Sequence, residues 1–322
     1  MIKSFSAFTL AKPGSWRENE TMTTSFVTPE YPDRSELNRR ALRTDQRKEA
    51  RKLVGLTLPA TLVLLVALLV PLGVMTYLSF VGEDGGFSFE NYTRLFESGI
   101  YGRIFATTFI VAFLTTAIVV IIGYPHAYLL SQLPASVAGI VMLGVLMPLW
   151  TPVLVRTYAW LALLQSKGII NNTLVHLGVV TDPLPLANNL TGTLIGMVQV
   201  MLPFLILPLY GSMKAVDANL MYAASNLGAK PSRAFRDVFF PLSLPGLSSG
   251  ALIVFVLCLG FYVTPAVLGG GKVIMVAMRI DANVRIYSSW GAASALGVVL
   301  ILVTAVLLGL AYWSRNRFGG SK

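Results

Sequence analysis

Charge is scarce in this chain. Only 12% of its 322 residues are Asp, Glu, Lys or Arg, against about 25% in soluble domains. The single cysteine, Cys258, excludes an intrachain disulfide; set in an apolar run, it reads as a small packed hydrophobe. The two histidines, His126 and His176, have no metal-ligand spacing around them, so no metal is expected. No nucleophile–base pair stands out either, so no catalytic residue, no cofactor and no enzyme activity is expected. The run Gly269-Gly270-Gly271-Lys272 invites a phosphate-loop reading and fails it. The motif's first glycine would fall at Ala266, and Val273 follows the lysine where Ser or Thr is required. Residues 1–33 lack the continuous apolar core of a secretory leader and read as polar and disordered, with Met22 a second candidate start.

Apolar residues are abundant. They make up 55% of the chain, and the mean hydropathy is +0.68. No Asp, Glu, Lys or Arg occurs in 53–82, 104–155, 183–213, 238–271 or 286–314. A membrane-spanning helix needs about 20 apolar residues. Four of these runs therefore hold one span each, and the 104–155 run holds two, divided near Pro134. The expected fold is an all-α membrane protein with six transmembrane helices, at 54–80, 104–130, 137–163, 188–212, 238–260 and 291–313.

An even number of spans puts both termini on one side. With cytoplasmic termini, 18 Lys and Arg lie inside and six outside, and Arg156 falls within a span. That asymmetry follows the positive-inside rule, so both termini are expected to be cytoplasmic. The net charge of +10 is concentrated in Arg34–Lys52, directly before the first span. It reads as a juxtamembrane signal facing anionic lipid rather than a nucleic-acid surface. The expected organisation is a basic, partly disordered cytoplasmic tail at 1–52, a membrane domain at 53–315 and a cytoplasmic tail at 316–322. Residues 81–103, 164–187 and 261–290 are the expected external segments, with Pro265 and Gly269–Gly271 breaking helix in the third.

Between the fourth and fifth runs lies a polar island, 214–240. Asp217 can cap a helix start, 218–227 favour helix, and Gly228 suits a helix stop. Pro231 suits the start of a second helical segment continuing to Val238. The result is a helix–turn–helix elbow. Ala223-Ala224, Gly228, Val238 and Pro241 resemble the cytoplasmic loop of permease subunits of bacterial ATP-binding-cassette importers. The family pattern is Glu-Ala-Ala, three residues, Gly, nine residues, Ile, one residue, Leu-Pro. Here Val238 replaces Ile, Phe240 replaces Leu, and Tyr222 stands where the family has Glu.

The resemblance covers roughly 50–315 and narrows to the spermidine/putrescine-type branch. Pro148-Leu149-Trp150-Thr151, Leu154 to Trp160, Gly168 to Asn172 and Tyr262 to Gly270 carry it. It implies a bacterial inner-membrane permease working with an ATPase dimer, a second homologous permease and an external binding protein, without nucleic acid. Tyr222, Ala223, Ala224, Gly228, Arg233, Val238 and Pro241 would form the loop that couples to the ATPase. The cargo implied is a polyamine, while relatives in the branch carry ferric iron, phosphonates, thiosulfate or opines. A stand-alone secondary transporter would need acids in its spans or an inverted repeat, and neither is evident.

For the cargo route, the candidates toward the outer side are the aromatic faces of Trp150, Tyr158 and Tyr262, the acid Asp281 and the hydroxyl of Thr264. Arg156 is the costliest residue, at about 2.5–3.5 kcal/mol for an Arg at the centre of a span. It is expected to line the route, to pair with Asp281 or a partner chain, or to snorkel to the headgroups.

Overall fold

The computed structural model describes residues 34–82 and 84–319, with side chains described mainly across 57–82 and 84–313. The expectations for residues 1–33 and 320–322 lie outside these residues. The described residues are helical apart from turns, loops and an isolated antiparallel bridge between Val81 and Phe87. By contacts the chain divides into residues 1–67 and residues 68–322. The first unit holds most of helix α1 (Arg34–Ser79), whose stretch Thr57–Ser79 is apolar enough to span a bilayer.

In the second unit, α2 (Glu90–Glu97) precedes the long α3 (Gly99–Gln132), which begins five residues before the expected 104. Ser98, in an extended conformation, separates the two helices. Further spans are α7 (Leu190–Lys214), the segment Pro231–Leu259 that ends in α10 (Phe240–Leu259), and the Trp290–Trp313 stretch of α13 (Trp290–Gly319). Together with α1, these are five uninterrupted candidate spans among the described residues.

The expected third span, 137–163, is not one helix. It is built from α4 (Ala135–Leu146), a 3₁₀ turn at Met147–Trp150, α5 (Val153–Leu164) and α6 (Ile169–His176), and its two halves meet at 97°. The cause is local. Pro148 and Pro152 each lack an N–H, and the ring of Pro152 pushes Thr151 into an extended conformation, φ −88° and ψ 139°. Ala135–Trp150 alone reaches about 24 Å, short of a hydrocarbon core of about 30 Å. The six-span reading therefore holds only if this bent pair counts as one span.

The core is the packing of α3, α7 and α10. Val111, Ala112 and Val119 meet Met197, Met201 and Leu205, and Val254 and Cys258 close the cluster. Apolar side chains gain nothing from leaving lipid for one another, so close backbone approach has to drive this packing. Gly246 and Gly250, four apart on α10, supply it. A Cβ at Gly246 would collide with Ser212 and lie 2.9 Å from the Pro208 carbonyl oxygen, and one at Gly250 would lie 3.0 Å from Leu205 Cδ1.

On the side opposite the polar island lie α11 (Val263–Leu268) and α12 (Val276–Arg285). Pro265 sits in the first turn of α11, where its missing N–H costs nothing, so it does not break the helix as expected; the glycines after Leu268 end it. Gly196 of α7 lets α11 approach closely, since a Cβ there would lie 2.7 Å from Thr264 Cγ2. The buried Thr108 hydroxyl accepts the Val276 N–H at 2.9 Å and fixes the start of α12 on α3. Asn171 donates to the carbonyls of Gln165 and Leu184 at 3.0 Å and accepts from the Leu184 N–H at 2.9 Å, binding the 164–187 segment into one piece.

Candidate functional site

The polar island folds as an elbow. Asp217 accepts the Asn219 N–H at 2.9 Å and starts α8 (Ala218–Asn226). The Gly228 N–H bonds Ser225 O at 2.9 Å, and the Ala229 N–H bonds Ala224 O at 3.0 Å. This paired pattern needs a left-handed residue at the end of the helix, and Gly228 supplies it at φ +81°. Pro231 then opens the short α9 (Pro231–Ala234).

The next five residues, Phe235–Phe239, form a π turn rather than the α-helix expected through Val238. The Phe240 N–H bonds Phe235 O, five residues back. Pro241 explains the widening: it has no N–H to offer, and its ring would strike the carbonyl four residues earlier, at Asp237. Such turns inside helices are frequent at functional sites.

The π turn brings aromatic rings together. Phe235 and Phe239 stack at 5.7 Å, and Tyr128 of α3 meets each of them edge to face at 5.2 Å. Tyr124, one turn earlier, lies against Phe235 and Phe240, and its hydroxyl is 3.0 Å from that of Ser243. The elbow is thus clamped to α3 and is covalently the start of α10. Tyr124, Tyr128 and Phe235 were not singled out from the sequence, where Phe240 counted only as a motif position; the spacing of Phe235, Phe239 and Phe240 just before Pro241 was the available signal.

The outer face of α8 has nothing on it among the described residues. Leu220, Ala223 and Leu227 lie on one stripe at i, i+3 and i+7; Leu227 is 89% exposed and Tyr222, beside the stripe, 68% exposed. A cavity of about 450 Å³ is lined by Met221 and Tyr222 of α8, by Met213 and Phe239, and by the end of α3. Arg233 and Arg236 both reach Asp237, at 3.4 and 3.1 Å. These pairs are exposed and add little stability. Val238 lies in the π turn and Pro241 at the start of α10, apart from Tyr222 on α8; Val238 is half-buried and Pro241 exposed.

The cargo-side candidates separate into two groups. Tyr262 donates to Asp281 Oδ2 at 3.2 Å, and Arg285 Nε donates to Asp281 Oδ1 at 2.6 Å. The bond to Asp281 raises the Tyr262 hydroxyl above its ordinary pKa, because the bond is lost and like charges meet when the phenol ionises. Asp281 takes its bonds from Tyr262 and Arg285, and none joins it to Arg156 Nε or Nη1. Thr264 is buried, 3.4 Å from the Thr157 hydroxyl, where it fastens α11 to α5 rather than lining an open route. Trp150 and Tyr158 are exposed, at 76% and 57%. Arg156 lies between them on α5, its Nε and Nη1 buried without a hydrogen bond. Arg279 of α12 lies over the rings of Tyr101 and Tyr287, 5.7 and 5.1 Å from their centroids. Among the described residues no three His, Cys, Asp or Glu side chains converge.

Residues 123–319 match the family of binding-protein-dependent transport system inner membrane components. The chain is 32% identical over 260 residues to the spermidine/putrescine transport system permease protein PotB of Haemophilus influenzae, covering 79% of this chain and 90% of that protein. Its fold is similar to a chain of a bacterial ABC transporter involved in the import of the acidic polysaccharide alginate, with TM-score 0.66 and 16% identity over 86% of this chain and 99% of that one. A crystal structure of a bacterial alginate ABC transporter in complex with alginate pentasaccharide-bound periplasmic protein gives TM-score 0.68 at 16% identity, over 85% of this chain and 97% of that one.

Proposed function

The chain belongs to the family of binding-protein-dependent transport system inner membrane components, and we propose that it carries a polyamine of the spermidine/putrescine class. It is a multi-pass inner-membrane permease subunit of an ATP-binding-cassette importer, a transport component that depends on an external binding protein. The cargo reading rests on the likeness to the spermidine/putrescine permease.

The elbow supports the rest of the proposal. α8 and its C-terminal capping residue present Leu220, Ala223 and Leu227 outward, a narrow apolar stripe that fits a groove in a partner. The termini and the elbow face the cytoplasm, where an ATPase subunit receives α8. A second, homologous permease completes the pathway. When the ATPases close, α8 is displaced. Tyr128, Phe235 and Phe239 transmit the displacement to α3, while the chain itself carries it into α10. The α3–α7–α10 core then moves as a block.

The observation that carries this reading is the exposed stripe of α8 joined to the core through the aromatic clamp. The test is Gly228→Trp in the assembled importer. At φ +81° a tryptophan is strained, so the angle between α8 and α9 must change. The expected result is normal membrane insertion, lost uptake and ATP hydrolysis that no longer responds to cargo-loaded binding protein. Uptake at the level of the unaltered protein would refute the role of the elbow. Stimulation of ATP hydrolysis by a spermidine-loaded binding protein, compared with phosphonate- or opine-loaded ones, tests the cargo.

A further inference from the structure

α8 is held less firmly than the elements around it. None of its residues is buried, and its contact with the cluster of Leu209, Met213 and Phe239 is made by the half-buried Met221. Its ends are tied to α7 through Ala215 and Asp217 and to α9 through the left-handed Gly228. Elements with few buried apolar contacts are the ones that move at low cost. The surroundings are fixed: Met213 and Phe239 are buried, and Tyr128 meets Phe235 and Phe239 edge to face.

The cavity of about 450 Å³ is lined by residues of both kinds, by Met221 and Tyr222 of α8 and by Tyr128, Met213 and Phe239. A space of about 300 Å³ already suits a small-molecule ligand, so there is room for a phenol ring. Tyr222 borders that space, and among the described residues it makes no ring contact with Tyr128 or Phe239. The walls suit a tyrosine. Met213 and Met221 have unbranched side chains that reshape around a ring, and Tyr128 and Phe239 offer rings to pack on. Gln132 and Lys214 also border the cavity, where a phenol hydroxyl can find a polar partner.

Resting on the reading that an ATPase subunit receives α8, we propose that Tyr222 is the positioning residue that closes this cavity during transport. When the ATPase pushes on α8, the helix pivots on Met221, and the Tyr222 ring enters the space and packs on Tyr128 and Phe239. The displacement then reaches the aromatic clamp by direct contact as well as through the chain. Burial of the ring removes apolar surface from water, which favours the closed arrangement. Without the ring, part of the movement is lost in closing empty space. A glutamate at 222, as in the family pattern, would bring no ring to stack there.

The test uses the complete importer and reads maleimide labelling of single thiols on this chain, whose own Cys258 is buried. Gln132→Cys places a thiol at the cavity, and Leu227→Cys places one on the outward stripe. Gln132→Cys is expected to label several-fold more slowly with a non-hydrolysable ATP analogue than without nucleotide. Tyr222→Phe should keep that difference and Tyr222→Ala should abolish it. No difference with Tyr222 intact overturns the proposal. An equal difference in Tyr222→Ala also overturns it, since the ATPase, a lipid or a cytoplasmic small molecule would then be the occupant. Leu227→Cys reports on the elbow separately, and it is expected to be shielded in both states relative to the denatured importer. If it labels as fast as in the denatured importer, the elbow reading itself fails, and the closure with it.

Discussion

Tyr128 of α3 and Phe239 of the π turn meet edge to face, ring centroids 5.2 Å apart and planes at 82°. They are 111 residues apart in sequence, and their contact joins the elbow to a helix with which it shares no loop. An aromatic pair of this geometry adds about 0.5–1.5 kcal/mol beyond the area it buries. It also resists sliding, since each ring blocks the other.

Tyr128→Ala is therefore expected to separate motion from transport. The loss of a half-buried ring costs a few kcal/mol at most, so the importer still assembles. Uptake per ATP hydrolysed should fall several-fold, measured in proteoliposomes with cargo-loaded binding protein, while Tyr128→Phe keeps the ring and most of the coupling. Equal uptake by Tyr128→Ala would remove the clamp from the mechanism.

Pro241→Ala should close the π turn. The new N–H at 241 can bond the carbonyl four residues back, and the clash that widened the turn is gone. An α-helix advances about 100° per residue, so absorbing the extra residue rotates α9 and α8 relative to α10. The expected outcome is a folded, membrane-inserted protein with impaired coupling and slower amide exchange across 238–241. Amide exchange unchanged there would mean that something other than Pro241 holds the turn open.

Gly246→Leu should fail at an earlier stage. No side chain fits between α10 and Ser212 without moving α7, and overpacking of this kind costs about 1–3 kcal/mol or more. Lower thermal stability in detergent is expected, with Gly211→Leu as the control because a Cβ at Gly211 meets nothing within 4 Å.

The Tyr262–Asp281 bond has a pH signature. The Tyr262 phenol is raised in the folded protein. A group with a raised folded pKa stabilises the fold below its unfolded value, about 10 for tyrosine, and that contribution disappears as pH rises through the folded value. Asp281→Asn removes the negative acceptor, so Tyr262 should ionise at lower pH than in the unaltered protein. The difference between ultraviolet titrations with and without Tyr262→Phe, in each background, isolates this one ring. Identical Tyr262 titrations would show that the bond is not held in solution.

Much of this protein was legible in local chemistry. Runs without charge marked the spans, because hydrocarbon excludes ions regardless of where else the chain goes. Asp217, Gly228 and Pro231 marked the elbow, because caps, left-handed turns and helix starts are decided by residues within a few positions. The membership in the importer-permease family was legible for the same reason: its motif is contiguous. The 97° bend of the third segment was less visible, since prolines are tolerated inside α3, α7 and α10 but not where Pro148 and Pro152 act together.

Only the tertiary structure decided which distant side chains meet. Asp281 went to Tyr262 and Arg285 and left Arg156 without it; Thr264 turned inward to Thr157; Tyr128 found Phe239. Sequence alone marked which segments are apolar and long enough to cross a membrane and where the elbow turns, because transfer free energy and backbone dihedrals are properties of short segments. The pairings depended on helix rotation and on close approach at Gly196, Gly246 and Gly250, and those are properties of packed surfaces, which exist only once the helices are assembled.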